Sequence, residues 1–409
     1  MGNMTAFAGE QIKESNRSDP IESAQMFASI ERLCDWLNRH DYRGYDTFDG
    51  LNSKYLRPLT FENNFLRQVL QQAVRRFPVN LRPLLGVEAS RSTKGMAFIA
   101  RGFMRLHTAT KEEAWADKAK MALDWLIDKK SPGYTGACWG NHFDYQSRSS
   151  FIPTGTPTIV WTALIGHVFL DAYEHFHERR FLDVATSACE HIVKDLDRFP
   201  DGPDFCFSYH PGATHKVHNA NTLGASLLAR TNAIVPVPQY LDLALASFNF
   251  TAKYQLPDGS WYYGKEDNLH WVDNFHTAYV LDCFKYFREA TSDTRFDEVL
   301  AKGYEYWKRT FFLPDGTPKY YNHKTLPLDI QCCSQAIDTL VFFSDGDSDA
   351  PELAAKVANW TIKNMQADSG YFYYRRYSSW IVNKTPTLHW GQATMLSALA
   401  GLYELSLKR

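Results

Sequence analysis

The chain has 409 residues, with 44 Lys and Arg against 46 Asp and Glu, a formal net charge of −2. That balance excludes the bulk field by which a protein gathers nucleic acid or an anionic membrane surface. Phe, Trp and Tyr make up 15% of the residues, more rings than helical packing requires, so some are expected to line a surface that stacks on a flat ligand.

Along the chain, residues 1–19 are polar and lack an apolar stretch, and residues 1–21 are expected to form a poorly ordered N-terminal segment. Residues 22–38 have helical periodicity and read as an additional helix ahead of the main array, whereas residues 62–77 read as a helix that closes the array beside its last member. From Thr93 onward two kinds of helical segment alternate. One kind starts near Thr93, Pro157, His218, Asp273, Asp329 and Leu388, at spacings of 64, 61, 55, 56 and 59 residues, and is rich in small residues such as Gly95, Gly102, Gly224 and Gly391. Small side chains permit crowding around an axis. The other kind, as in residues 111–130 and the segments from Glu178, Pro238, Asp293 and Glu352, carries charge on one face and reads as an outer layer.

The period predicts an all-α fold, an (α/α)6 toroid of six inner and six outer helices, as one domain over residues 1–409. Gly turns followed by aromatics, as at Asp258-Gly259-Ser260-Trp261 and Ser369-Gly370-Tyr371, recur before the inner helices, so short-strand-containing loops are expected to gather at one face. The longest apolar run, residues 158–169, is too short to span a bilayer and contains His167, which predicts no membrane insertion and a cytoplasmic protein. The seven cysteines are odd in number and scattered, matching neither a disulfide framework nor a strong zinc pattern, so no metal and no cofactor are expected.

Several runs resemble the VpsJ-like polysaccharide-biosynthesis proteins: His218-Asn219-Ala220-Asn221-Thr222-Leu223-Gly224, Asp273-Asn274-Phe275-His276-Thr277, Pro318-Lys319-Tyr320-Tyr321 and Trp390-Gly391-Gln392-Ala393. Gly44-Tyr45-Asp46 and Asp49-Gly50-Leu51-Asn52-Ser53 fit the same family. The resemblance implies a toroid of the six-hairpin or terpenoid-cyclase-like kind and a role in making or trimming extracellular polysaccharide, without assigning a reaction.

Candidate site residues lie in the loops that enter the inner helices. The first loop brings Trp139, His142 and Asp144 together, and the loop before the fourth inner helix brings Trp261, Tyr263 and Trp271 to Asp273 and His276. His218 and Asn219 begin the third inner helix, and Lys319, Tyr320, Arg375, Arg376, His389 and Trp390 come from the last two loops. Aromatic rings suit sugar faces, and arginine grips a carboxylate with parallel bonds, so the expected partner is an oligo- or polysaccharide, and an anionic one. Two chemistries fit. In an epimerase or lyase, a His or Tyr removes the C5 proton of a uronate whose carboxylate is neutralised by Arg or Asn, with His218, His276, Tyr263 and Arg376 as candidates. In an inverting glycoside hydrolase, Asp144 and Asp273 would be the acid and base. His, Tyr and Arg outnumber unpaired carboxylates in the loops, which favours proton abstraction. A non-catalytic glycan-binding component of an assembly system would use the same aromatics, and Asp273 alone also reads as an ordinary helix N-cap.

Overall fold

A computed structural model describes residues 22–147 and 151–408; the segment 1–21 lies outside the described residues. The helices, in chain order, are α1 (Ser23–Arg39), α2 (Asn64–Arg76), α3 (Thr93–Thr110), α4 (Glu113–Asp128), α5 (Ile159–Phe176), α6 (Arg179–Asp195) and α7 (His218–Ile234). They continue as α8 (Pro238–Lys253), α9 (Asn274–Thr291), α10 (Asp297–Phe311), α11 (Ile330–Phe342), α12 (Ala350–Met365) and α13 (Thr394–Leu407). Helices α3, α5, α7, α9, α11 and α13 each pack on the next, and α13 packs back on α3, which closes the inner ring. The fold is an (α/α)6 toroid.

Crowding at the axis depends on the small residues. A Cβ on Gly166 would lie 2.5 Å from a methyl of Leu227, and one on Gly224 would lie 2.4 Å from Ile159. Side-chain caps start four inner helices, where Ser92, Thr158, Asp273 and Asp329 accept the amides of Gly95, Trp161, His276 and Gln331. At the opposite end three inner helices stop on a left-handed residue, Lys111, His177 or Ser292. The chain there turns straight into the outer layer, so the long loops all fall at the other face.

The sequence expectation for the sixth outer helix needs correction. Helix α1 packs on α13 and α12, so it closes the outer ring, while α2 packs on a 3-10 turn at Asp49–Asn52 and on β1 (Tyr145–Gln146). The glycine turns mark the same order. A Cβ on Gly259 would strike Lys302 of α10, and one on Gly370, at φ +105°, would lie 2.1 Å from the carbonyl oxygen of Arg32 in α1.

The loops carry short ribbons: β1 pairs with β2 (Phe151–Ile152), β3 (Arg198–Asp201) with β4 (Asp204–Phe207), and β5 (Leu328–Asp329), β6 (Arg375–Arg376) and β7 (Val382–Asn383) form one three-stranded sheet. Residues 40–92, including α2, lie over the first and sixth loops. Gln71 bonds to the backbone of Gln146, Arg67 sits 4.2 Å from the Phe151 ring centre, and Asn383 donates to Phe77 O. This cap turns Phe61, Phe65 and Leu84 outward, each at least 70% exposed. No helix among the described residues is long and apolar enough to cross a membrane.

Candidate active site

The N-terminal ends of the inner helices meet beneath the loops, and the polar groups there form three linked clusters. The first surrounds the start of α9. Asp273 Oδ1 accepts the His276 amide at 3.0 Å as the helix cap. Its Oδ2 takes Trp271 Nε1 at 2.9 Å and His276 Nδ1 at 2.7 Å. With Nδ1–H directed at the carboxylate, the imidazole presents Nε2 as an acceptor, and the side chain is 22% exposed while Asp273 is shut away. Tyr263 stacks on Trp271, centroids 4.5 Å apart and 14° between planes, and its ring lies 4.5 Å from His276.

The same small cleft is lined by His218 and Asn219. His218 Nδ1 and Asn219 Oδ1 are buried and find no partner within the described chain. Burial pushes the His218 imidazole down to about 3, so it stays neutral, and pushes the Tyr263 phenol well above its ordinary value, so it keeps its proton. A phenol that keeps its proton can donate a hydrogen bond at this cleft, where the sequence offers Tyr263 as one candidate for the proton-abstracting base.

Beneath the cap lies the second cluster. Asp46 pairs with His389 Nδ1, both about 1% exposed. Burial lowers the His389 imidazole further than Asp46 raises it. His142 stands in the same field, pushed down to about 4 by burial. Lys94, at the start of α3, has its ammonium 5.1 Å from the Trp161 ring and 5.8 Å from each of Phe98, Tyr279 and Trp390. It has no hydrogen bond or ion pair among the described residues, and burial pushes it down to about 8. His389 and Trp390 sit on a π-helical turn, Leu388–Ala393, that leads into α13, a distortion that recurs at functional sites.

The third cluster is cationic. Arg75 from α2 donates to the Tyr374 hydroxyl at 3.2 Å. Arg375 lies over the Tyr320 ring at 5.2 Å, with its Nε 3.6 Å from Asp329 Oδ2. Two guanidiniums thus face one buried carboxylate, which burial raises above its ordinary range despite them. Ring contacts tie the clusters together: Phe275, two residues after the cap of α9, touches Tyr320 at 5.7 Å and Trp390 at 5.5 Å between centroids.

Other sequence candidates fall elsewhere. Trp139 is fully buried, donates Nε1 to Leu126 O at 2.9 Å and stacks on Phe169, so it is a core ring and not a sugar platform. Trp261 likewise donates to Thr251 O and packs on Phe284, and it also borders the cleft. Arg376 is held by the carbonyls of Asn364 and Ser379, and Lys319 by that of Asn322, so backbone contacts fix both, without an ion pair among the described residues. Asp144 accepts from Thr154 N at 2.8 Å and Oγ1 at 2.9 Å and pairs with Arg57, fastening the first loop to the cap. Asp46, Lys94, Trp161, Arg75 and Gln331 are not singled out as site residues from the sequence, whereas Asp329 is named there as the start of an inner helix. Asp46 carried a signal, since it stands in the Gly44-Tyr45-Asp46 run.

Buried polar atoms without a partner in the described chain concentrate at this end of the ring, among them Trp161 Nε1, Trp390 Nε1, Asn141 Oδ1, His142 Nδ1 and Gln331 Oε1. Native interiors leave few such atoms, and a cluster of them suits a polyhydroxylated ligand. Among the described residues no group of three or more His, Cys, Asp or Glu side chains is placed to hold a metal ion.

No protein-family model and no curated protein matches the sequence. Solved structures do match. A cellobiose 2-epimerase from Bacillus thermoamylovorans superposes with a TM-score of 0.58 at 10% identity, over 77% of this chain and 90% of that one. A family GH76 α-mannanase from Bacteroides thetaiotaomicron gives 0.60 at 14% identity, over 79% and 89%. A polysaccharide lyase gives 0.59 at 11% identity, over 95% and 99%. What this chain shares with them is the fold.

Proposed function

We propose that this chain is a carbohydrate-active enzyme of polysaccharide metabolism that abstracts a proton from an anionic, uronate-containing glycan, as an epimerase or a lyase. The observation that carries the reading is the Asp273–His276 pair, whose second imidazole nitrogen is uncommitted beside the Tyr263 and Trp271 rings. In this reading Nε2 takes the C5 proton, and the electron pair left behind moves into the uronate carboxylate. Arg75 and Arg375, which outnumber the carboxylate between them, make that charge tolerable. The intermediate then either regains a proton at C5 on the opposite face or breaks the bond to the C4 oxygen. Tyr263, still protonated, is placed to donate in either case.

Solved structures of the same fold include an epimerase and a lyase as well as a mannanase, so the fold accommodates this chemistry, and the VpsJ-like motifs fall in the same mouth. We accordingly assign the chain a part in making or trimming extracellular polysaccharide. Its seven cysteines, all free and buried, suit a reducing compartment such as the cytoplasm. Hydrolysis by Asp144 and Asp273 has less support, because Asp144 is committed to Thr154 and Arg57.

Incubation with a panel of uronate polymers tests the proposal. Either an unsaturated product, followed by its ultraviolet absorbance, or inverted C5 configuration by NMR is expected. Release of reducing ends without either product, lost in Asp144→Asn, would instead establish hydrolysis.

A further inference from the structure

At the face opposite the mouth, where the inner helices end, the ring axis opens into a cavity of about 390 Å³, within the roughly 300–1,000 Å³ range of small-molecule sites. Its apolar surface includes Phe98, Leu164, Leu223, Tyr279, Val341 and Phe342. Phe98 and Tyr279 are also two of the rings around Lys94, so the cavity is separated from the mouth by aromatic side chains.

The strong cations around the cavity are each matched by a carboxylate. Arg101 and Arg230 share Asp171, at 2.9 Å to each of its oxygens, and Arg230 also reaches Glu174 Oε1 at 3.4 Å. Arg105 pairs with Asp338, Lys408 with Glu404, and Lys285 with Asp345. Among the described residues no surplus guanidinium or ammonium remains around the cavity to hold an anion, in contrast to the mouth.

Three lining groups keep unused polar atoms. Asp282 Oδ2 accepts from Gln335 Nε2 at 2.8 Å and from Thr339 Oγ1 at 3.1 Å, while Oδ1 is buried without a partner. Burial, reinforced by Asp338, holds the Asp282 carboxyl well above the ordinary range, so it is a neutral acid with a proton to donate. Gln335 hydrogen-bonds through Nε2, and Gln335 Oε1 and the Tyr286 hydroxyl take no hydrogen bond from the described residues, although neither is buried without a partner as Asp282 Oδ1 is. The Tyr286 ring is fixed between His167, stacked at 4.9 Å, and the Arg230 guanidinium at 4.7 Å. Neutral groups that both donate and accept, set against aromatic and aliphatic side chains, match the hydroxyls and CH face of an uncharged sugar.

We propose that this cavity is a second binding site, distinct from the mouth, for a neutral mono- or disaccharide. It does not depend on the reaction assigned to the mouth. Calorimetric titration of the full chain with glucose, mannose and cellobiose, with glucuronate as the charged control, tests it. At least one neutral sugar is expected to bind, and its affinity should fall at least fivefold in Tyr286→Phe, which keeps the ring stack, and in Gln335→Leu. The same binding should persist in His276→Gln. Three results would overturn the proposal: no binding of any neutral sugar, binding indifferent to both Tyr286→Phe and Gln335→Leu, or binding abolished by His276→Gln, which would put the sugar at the mouth. Glucuronate binding more tightly than the neutral sugars, in a manner sensitive to Tyr286→Phe, would contradict the assigned ligand class.

Discussion

Asp273 has two duties that one substitution can separate. Its Oδ1 caps α9 and its Oδ2 orients His276. Asn caps a helix about as well as Asp, so Asp273→Asn should leave the melting temperature nearly unchanged. It removes the carboxylate oxygen that accepts His276 Nδ1–H and fixes the imidazole, so turnover is expected to drop on the order of 10²-fold or more. Equal losses in stability and activity would reduce Asp273 to a cap. Lys94 gives a pH test. Burial disfavours its charged form, pushing it down from 10.5 to about 8, so the folded protein carries that cost below pH 8 and sheds it as the pH rises toward 10.5. Lys94→Met should therefore raise the unfolding free energy at pH 7 by about 2–3 kcal/mol, and the gain should shrink through that interval in denaturant titrations. The dyad was legible in the sequence, because a cap and the residue three later belong to one local motif. Lys94 was not, because its four rings come from α3, α5, α9 and the turn before α13, and only tertiary packing brings them together.

Among the elements, the cap carries the main departure from expectation. Periodicity in residues 62–77 shows that one face of a helix is buried without saying against what, so α2 passed for an outer helix of the ring. Its site instead depends on a buried ion pair. Arg82 Nε bonds Asp49 Oδ1 at 2.6 Å, and its NH2 reaches Asp46 O, next to the cluster under the cap. Both side chains are at most 3% exposed. Removing one member leaves the other charge unpaired in the interior, so Arg82→Met should destabilise by about 3–5 kcal/mol by chemical denaturation, with Arg82→Met/Asp49→Leu losing less. Through α2 the cap also supplies Arg75. Arg75→Met and Arg375→Met should each raise KM for a uronate polymer about tenfold, as befits a lost charged hydrogen bond of roughly 1.5 kcal/mol, and leave KM for a neutral glycan unchanged.

For the molecule as a whole, the ring was readable because its small-residue helices repeat at a regular spacing, and each repeat enforces the next. Its closure was not, because the sixth outer helix comes first in the chain and no local pattern links α1 to residues more than 300 positions away. Gly370 is that seam: its turn, at φ +105°, lies against Arg32. Gly370→Ala should cost about 2–3 kcal/mol and lower the melting temperature, through both the backbone angle and the clash. Hydrogen exchange should then quicken first in α1 and α12. The most direct measurement of the central claim is deuterium incorporation at C5 when the protein and a uronate oligosaccharide are incubated in D2O. Exchange is expected with the natural chain, reduced at least 10²-fold in both Asp273→Asn and His276→Gln. Exchange that survives in both variants, or none with any uronate tested, would contradict the account.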